Sequence, residues 1–167
     1  SIIVRTFGAT LIFDPVQIEP KELIRADALV ITHEHEDHFD RGLVRECQDK
    51  LGIPVLTTPF VAQMLSKKAK VIKVGDYVSV GDIELLAERC DHPANEPLSF
   101  LILVKGAATL YHPGDSQSFP EMTQLWEKYR PDVLLYSGAS IENAIQIAKL
   151  VRPLVIVAYY SERNWAE

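Results

Sequence analysis

The chain has only two cysteines in its 167 residues, Cys47 and Cys90. They lie far apart and form no Cys-x-x-Cys pair, which excludes a disulfide scaffold and fits a reduced, cytoplasmic setting. Both read as buried free thiols. Cys90, two residues before His92, is also a conceivable metal neighbour. Basic charge is scarce: 17 Lys and Arg stand against 23 Asp and Glu, a formal charge of -6. That balance counts against long nucleic acids and anionic membranes as partners. Apolar runs stop well short of the roughly 18 residues of a membrane span. No basic patch followed by an apolar stretch marks a signal peptide. Internal repeats, low-complexity tracts and linkers are missing too. The length fits one domain spanning residues 1–167, and a chain of this size buries roughly 70% of its unfolded surface without staples.

What is present alternates between strand and helix patterns. Residues 1–6 and 9–13 read as strands across a turn at Phe7-Gly8. Residues 20–25 read as a short helix opened by proline, 28–31 as a buried strand, and 41–50 as a helix capped by Asp40. A strand at 54–57 and a helix at 60–66 follow. Val61, Met64 and Leu65 form a core stripe on that helix, and the lysines at 67, 68 and 70 form a solvated end. Strands at 71–74, 77–80 and 83–89 are punctuated by Gly75-Asp76 and Gly81-Asp82. Residues 99–104 and 107–111 make a hairpin around Lys105-Gly106. A helix at 121–129, a strand at 133–136, a helix at 141–151 and a strand at 154–159 complete the chain. The pattern gives a mixed α and β domain with many antiparallel pairs and leaves the strand order open.

The chemistry concentrates in Thr32-His33-Glu34-His35-Glu36-Asp37-His38. Three of the five histidines fall within these residues. In extended backbone, residues two apart point the same way, so His33 and His35 reach one ion. Asp37 and His38 come where the chain turns into a helix and aim at a second point. Imidazole and carboxylate together suit Zn²⁺, Fe or Mn²⁺. A closed structural zinc site would use cysteine and needs fewer ligands than this cluster offers. His92, in a loop between strands, and Asp115, after a Gly turn, are the distant residues placed to converge on it.

The Thr32-His33-x-His35-x-Asp37-His38 motif, the isolated His92 and the Gly114-Asp115 pair resemble the metallo-β-lactamase superfamily. Ile12-Phe13-Asp14-Pro15, Ala26-Asp27-Ala28-Leu29-Val30, Gly75-Asp76 and Pro131-Asp132-Val133-Leu134-Leu135 add to the likeness, which covers nearly the whole chain. The overall order is similar to small metal-dependent hydrolases such as L-ascorbate-6-phosphate lactonase. The resemblance implies an α+β fold: a four-layer αβ/βα sandwich of two mixed β-sheets flanked by helices, with a metal site at one edge. It implies that His33, His35 and His92 hold a first ion, that Asp37 and His38 serve a second, and that Asp115 bridges both. Asp14 is then either a support that orients a ligand imidazole or a simple strand-end turn with Pro15, and His112 a supporting or packing residue.

The family's last strand ordinarily carries one more histidine, a ligand of the second ion. Here residues 153–161 contain none, and Tyr159 or Tyr160 takes its place. Phenol is a poorer ligand than imidazole at neutral pH, so a weaker second site is expected. Relative to the family, the chain reads as starting one strand late and as trimmed near residues 137–141. Both features leave less room for a substrate lid and raise the prospect of a degenerate member.

The implied activity is zinc-dependent hydrolysis by a metal-bound hydroxide, of pKa lowered toward roughly 7, on a lactone, another ester or a small phosphorylated substrate. Asp37 and Asp115 position it. Asp37 takes up a proton as the leaving group departs, and a tyrosine, Tyr160 in the first instance, stabilises an oxyanion. Two alternatives stand beside it: a metal-dependent phosphodiesterase or nuclease, and a non-catalytic metal-binding member of the fold. A homo-oligomer is left open.

Overall fold

The computed structural model describes residues 1–65, 69–138 and 140–159. Tyr160, the last residue of the helix expected at 60–66 and the lysines at 67 and 68 lie outside them.

Two mixed sheets pack face to face. The first runs in the order β1 (Ile2–Arg5), β2 (Thr10–Phe13), β3 (Ala28–Ile31), β4 (Val55–Thr57), β5 (Lys70–Val71). Its β1–β2 pair is antiparallel and the rest is parallel. The second contains β6 (Tyr77–Val80), β7 (Ile83–Arg89), β8 (Leu98–Val104), β9 (Thr109–His112), β10 (Val133–Tyr136) and β11 (Val155–Ala158). Its order is β11-β10-β9-β8-β7-β6, antiparallel from β6 to β9 and parallel from β9 to β11. Helices α1 (Pro20–Leu23), α2 (Arg41–Glu46) and α3 (Pro59–Met64) follow strands of the first sheet, and α4 (Thr123–Tyr129) and α5 (Ile141–Val151) flank strands of the second.

Side-chain alternation builds the layers. Along β2, Leu11 and Phe13 face the other sheet and pack with Leu85, Ala87, Phe100 and Ile102. Ile12, between them, turns outward onto Val44, Cys47 and Val61 beneath α2 and α3. On the second sheet Leu101, Tyr111, Leu134 and Tyr136 point outward onto Leu125 of α4 and Ile147 and Val151 of α5. Strands covered on both faces carry apolar residues throughout, which is why β2 and β3 read as continuous hydrophobic runs. The expected four-layer sandwich is thus observed.

Four local expectations shift. The strand expected at 71–74 is Lys70–Val71, and it extends the parallel part of the first sheet beside β4. Ile72 donates to the Thr57 carbonyl, and Gly75, at φ 91°, turns the chain toward the second sheet. The helix expected at 41–50 starts on its Asp40 cap, which accepts from the Leu43 N–H at 2.9 Å, but widens into a π-type turn over Cys47–Leu51. The helix expected at 121–129 opens with a 3₁₀ turn, Pro120–Met122. Cys47 is buried, whereas Cys90 is only partly so, correcting its expectation as a buried thiol.

The candidate site residues Asp14, Thr32, His33 and Asp115 follow the carboxyl ends of the parallel strands β2, β3 and β9, and Ser137 and Tyr159 follow those of β10 and β11. Ligand sites in α/β sheets gather at this edge.

Candidate metal centre

Three loops build the site, and each is tied to the next. Glu34 Oε1 accepts from the Asn95 backbone N–H at 2.9 Å and its side-chain amide at 2.6 Å, joining the His33–His38 loop to the His92 loop. Ser116 Oγ accepts from Asp91 N–H at 2.9 Å, and Gln117 N–H donates to the Asp91 carbonyl, joining the His92 loop to the Asp115 loop. Gly114 sits at φ 57°, where an added Cβ would come 3.2 Å from the Leu98 carbonyl oxygen. The turn that presents Asp115 therefore requires glycine.

Five of the six expected metal ligands form a continuous cluster. The ligand atoms of His33, His35 and His92 lie within 4.8 Å of one another, and so do those of His33, His38 and Asp115. His33 belongs to both groups. Asp37 belongs to neither: its side chain is 61% exposed, with Oδ2 3.8 Å from His38 Nε2. It sits at the rim, beside the second group. Cys90 is outside both groups, and burial pushes its thiol up to about 12.

Asp14 organises the interior. Its carboxylate accepts from Thr32 N–H at 2.8 Å, from Thr32 Oγ1–H at 2.9 Å and from His38 Nδ1–H at 2.8 Å. It does so from the left-handed region, at φ 47°, a conformation that asparagine and aspartate visit more readily than other side chains. Because the Thr32 hydroxyl donates to Asp14, its lone pair receives the His33 Nδ1–H at 2.9 Å. That fixes the proton of His33 on Nδ1. Its Nε2 is buried and has no hydrogen-bond partner among the described residues. Such an orphaned buried acceptor suits a metal ion, and the chain Asp14–Thr32–His33 is the kind of support that orients a ligand imidazole. His38, with Nδ1–H on Asp14, turns Nε2 toward Asp115 Oδ1 at 3.2 Å. His35 Nδ1 and His92 Nε2 stand 3.1 Å apart. The donors are imidazole and carboxylate, a borderline set appropriate to Zn²⁺, Fe or Mn²⁺. Thr32 had no signal in the sequence beyond its place between strand and motif, and Ser137, whose Oγ lies 3.3 Å from Asp115 Oδ1, had none.

These contacts set the charges. Burial works against the His38 cation, but Asp14 and Asp115 outweigh it and raise the imidazole to about 10. Burial opposes ionisation of Asp115 as well, yet His38 lowers it to about 2. Burial, helped by the His38 charge, lowers His33 to about 4, and burial does the same to His112. A raised histidine stabilises the fold below its ordinary titration, and that contribution is lost as pH climbs toward about 10. The lowered histidines act oppositely: the unfolded chain takes up their protons first, so stability is lost as pH falls from about 6.5 to about 4. Chelator-treated protein is therefore expected to melt at its highest temperature near pH 6.5. The melting temperature should fall by roughly 5 °C or more toward either side, read by calorimetry.

A family model for the β-lactamase superfamily domain matches residues 1–159. The chain belongs to the metallo-β-lactamase superfamily. A UPF0173 protein of Pyrococcus furiosus is 30% identical over 160 residues, covering 90% of this chain and 74% of that protein. A UPF0173 metal-dependent hydrolase of Archaeoglobus fulgidus is 26% identical, covering 84% of this chain and 68% of that protein. Among solved structures, Igni18, a metallo hydrolase of Ignicoccus hospitalis, superposes with a TM-score of 0.77 at 24% identity, covering 93% of this chain and 76% of that one. Among the described residues, no helix is long and apolar enough to cross a membrane.

Proposed function

We propose that this superfamily member is a metal-dependent hydrolase of uncharged esters, lactones included, with zinc as its ion. The observation that carries the reading is the buried, unpartnered Nε2 of His33, shared by two groups of three donors. His33, His35 and His92 hold one ion in this reading, and His38 and Asp115 serve a second, weaker position. When bound, the ion supplies a Lewis acid and a water of lowered pKa at neutral pH. The chain's residues do the rest. Asp14 and Thr32 hold His33 and His38 in their ligating tautomers. Asp115 accepts hydrogen bonds from the attacking group. Asp37, exposed at the rim, exchanges protons with solvent as the leaving group departs.

The surrounding charge supports an ester over a phosphate. The three loops carry Glu34, Glu36, Asp37, Asp40, Asp91, Glu96 and Asp115 and no lysine or arginine. Phosphate recognition relies on such cations, and a nuclease would track the backbone with them.

Ion content by elemental analysis, paired with a screen of lactones, aryl esters, a phosphodiester and RNA, tests the reading. Ester cleavage that a chelator abolishes, Zn²⁺ restores and added salt leaves unchanged is expected. Cleavage of RNA alone, falling steeply with salt, would replace the ester reading by a nuclease. No ion and no turnover would leave a non-catalytic member of the fold.

A further inference from the structure

His92 is the one donor of the first group that arrives on a distant loop, and little holds it there. Its segment reads His92-Pro93-Ala94-Asn95-Glu96-Pro97. The prolines have no N–H to donate. The Ala94 N–H turns back onto the His92 carbonyl at 2.8 Å. Among the described residues, hydrogen bonds leave this segment for two places only. His92 Nε2 lies 3.1 Å from His35 Nδ1. The backbone N–H and the side-chain amide of Asn95 both donate to Glu34 Oε1, at 2.9 and 2.6 Å. Glu34 stands between His33 and His35, so its carboxylate rides on the stretch of chain that presents both imidazoles.

The two anchors do not survive ligation equally. A ring nitrogen that ligates gives its lone pair to the ion and carries no proton, so ligation by His35 Nδ1 and His92 Nε2 ends the bond between them. The pair of bonds from Asn95 to Glu34 is untouched. Its acceptor is charged, which makes such bonds shorter and stronger than neutral ones. A carboxylate only accepts, and this fixes the Asn95 amide with its NH₂ toward Glu34.

We propose that Glu34 is a positioning residue for the first ion: through Asn95, one carboxylate oxygen holds the His92 loop against the chain that carries His33 and His35. The proposal rests on reading His33, His35 and His92 as a metal centre. Glu34 belongs to neither group of donors, so it acts through His92 and not as a ligand. What it contributes is an acceptor for two N–H groups; its charge is secondary.

Zn²⁺ affinity of the whole chain tests this, by chelator competition for tight variants and direct titration for weak ones. Glu34→Ala should bind about tenfold more weakly than the parent, as for other residues that orient ligands. Glu34→Gln keeps an acceptor oxygen and loses the charge, and should stay within about twofold of the parent. In a His92→Ala background, Glu34→Ala should cost nothing further, because the loop it holds no longer presents a ligand. A merely structural role would be felt with or without His92. Three results would each overturn the proposal: parental affinity in Glu34→Ala, a loss in Glu34→Gln close to that in Glu34→Ala, or an undiminished loss without His92. If Glu34→Ala fails to fold, Asn95→Ala decides. It removes the side-chain bond and leaves the backbone one, so a smaller loss is expected, and unchanged affinity would overturn the proposal. A parent that binds no Zn²⁺ refutes the metal-centre reading and this proposal with it, whereas a parent that binds no better than Glu34→Ala refutes only the role of Glu34.

Discussion

Replacing His33 by alanine is expected to cut ester hydrolysis by at least about 100-fold and to leave well under one ion per chain. Substitutions that merely disturb a ligand's supporting partner cost about 10- to 100-fold, and His33 is proposed as a ligand itself. It is also shared by both groups of three, so no single remaining set is intact. The residue is fully buried, and the folded state should be checked by melting of the chelated variant. His35→Ala, by contrast, removes a donor from one group only and should retain part of the bound ion. Elemental analysis and initial rates on the same samples decide the matter. Unchanged ion content in His33→Ala would place the centre elsewhere.

The second large effect concerns Asp14. In Asp14→Ala the buried His38 cation loses its 2.8 Å partner, and the Thr32 N–H and hydroxyl lose their acceptor. Breaking a buried charge pair from one side costs about 3–5 kcal/mol. At roughly 2–4 °C per kcal/mol for a domain of this size, the melting temperature should drop by about 10 °C. Asp14→Asn keeps part of the contribution to folding while changing ligation. Asparagine tolerates the positive φ and still accepts from Thr32. Its amide N–H₂, however, would face His38 Nδ1, moving that ring's proton to Nε2 and blocking the atom turned toward Asp115. The expected result is a smaller fall in melting temperature than in Asp14→Ala, because Thr32 keeps its acceptor although His38 loses its charged partner, with ion affinity reduced about 10- to 100-fold. Parental affinity in Asp14→Asn would show that the tautomer of His38 does not matter.

Much of this arrangement was legible in the residues. The spacing of His33 and His35 pointed to a candidate metal centre because alternation in extended chain puts side chains two apart on one side, with His38 following at the turn into the helix, and the strand before it, Ala28–Ile31, was plain from its apolar run. His92 and Asp115 were legible only as strand-end residues; what brings them to His33 is sheet order, which local pattern does not encode. Asp14 carried two equal readings, and its hydrogen bonds favour the supporting one, since they depend on where β2 lies beside β3. Asp37 looked equivalent to His38 in the motif, yet the turn at His38 and Phe39, whose N–H groups both donate to the His35 carbonyl, leaves it outward. Ser137 and Thr32 were invisible because a hydroxyl's role depends on its neighbours, not on its type. The choice between Tyr159 and Tyr160 lay beyond pattern as well. The structure describes Tyr159 beside His112, while Tyr160 lies outside the described residues.

The acidic loops around the centre bear on a later stage of turnover. Opening an uncharged ester or lactone creates a carboxylate where there was none. Charges within a Debye length of about 8–10 Å are incompletely screened, so the rim repels the newly formed anion as it is expelled. An ion in the pocket attracts the same anion and, left unopposed, would retain it. In a rim bearing Glu36, Asp37 and Asp91 as exposed carboxylates, entry of a neutral molecule is indifferent to charge while exit of its acid is favoured. Under the proposed ester reading, product release is biased by the same scarcity of cations that weakens any hold on a phosphate.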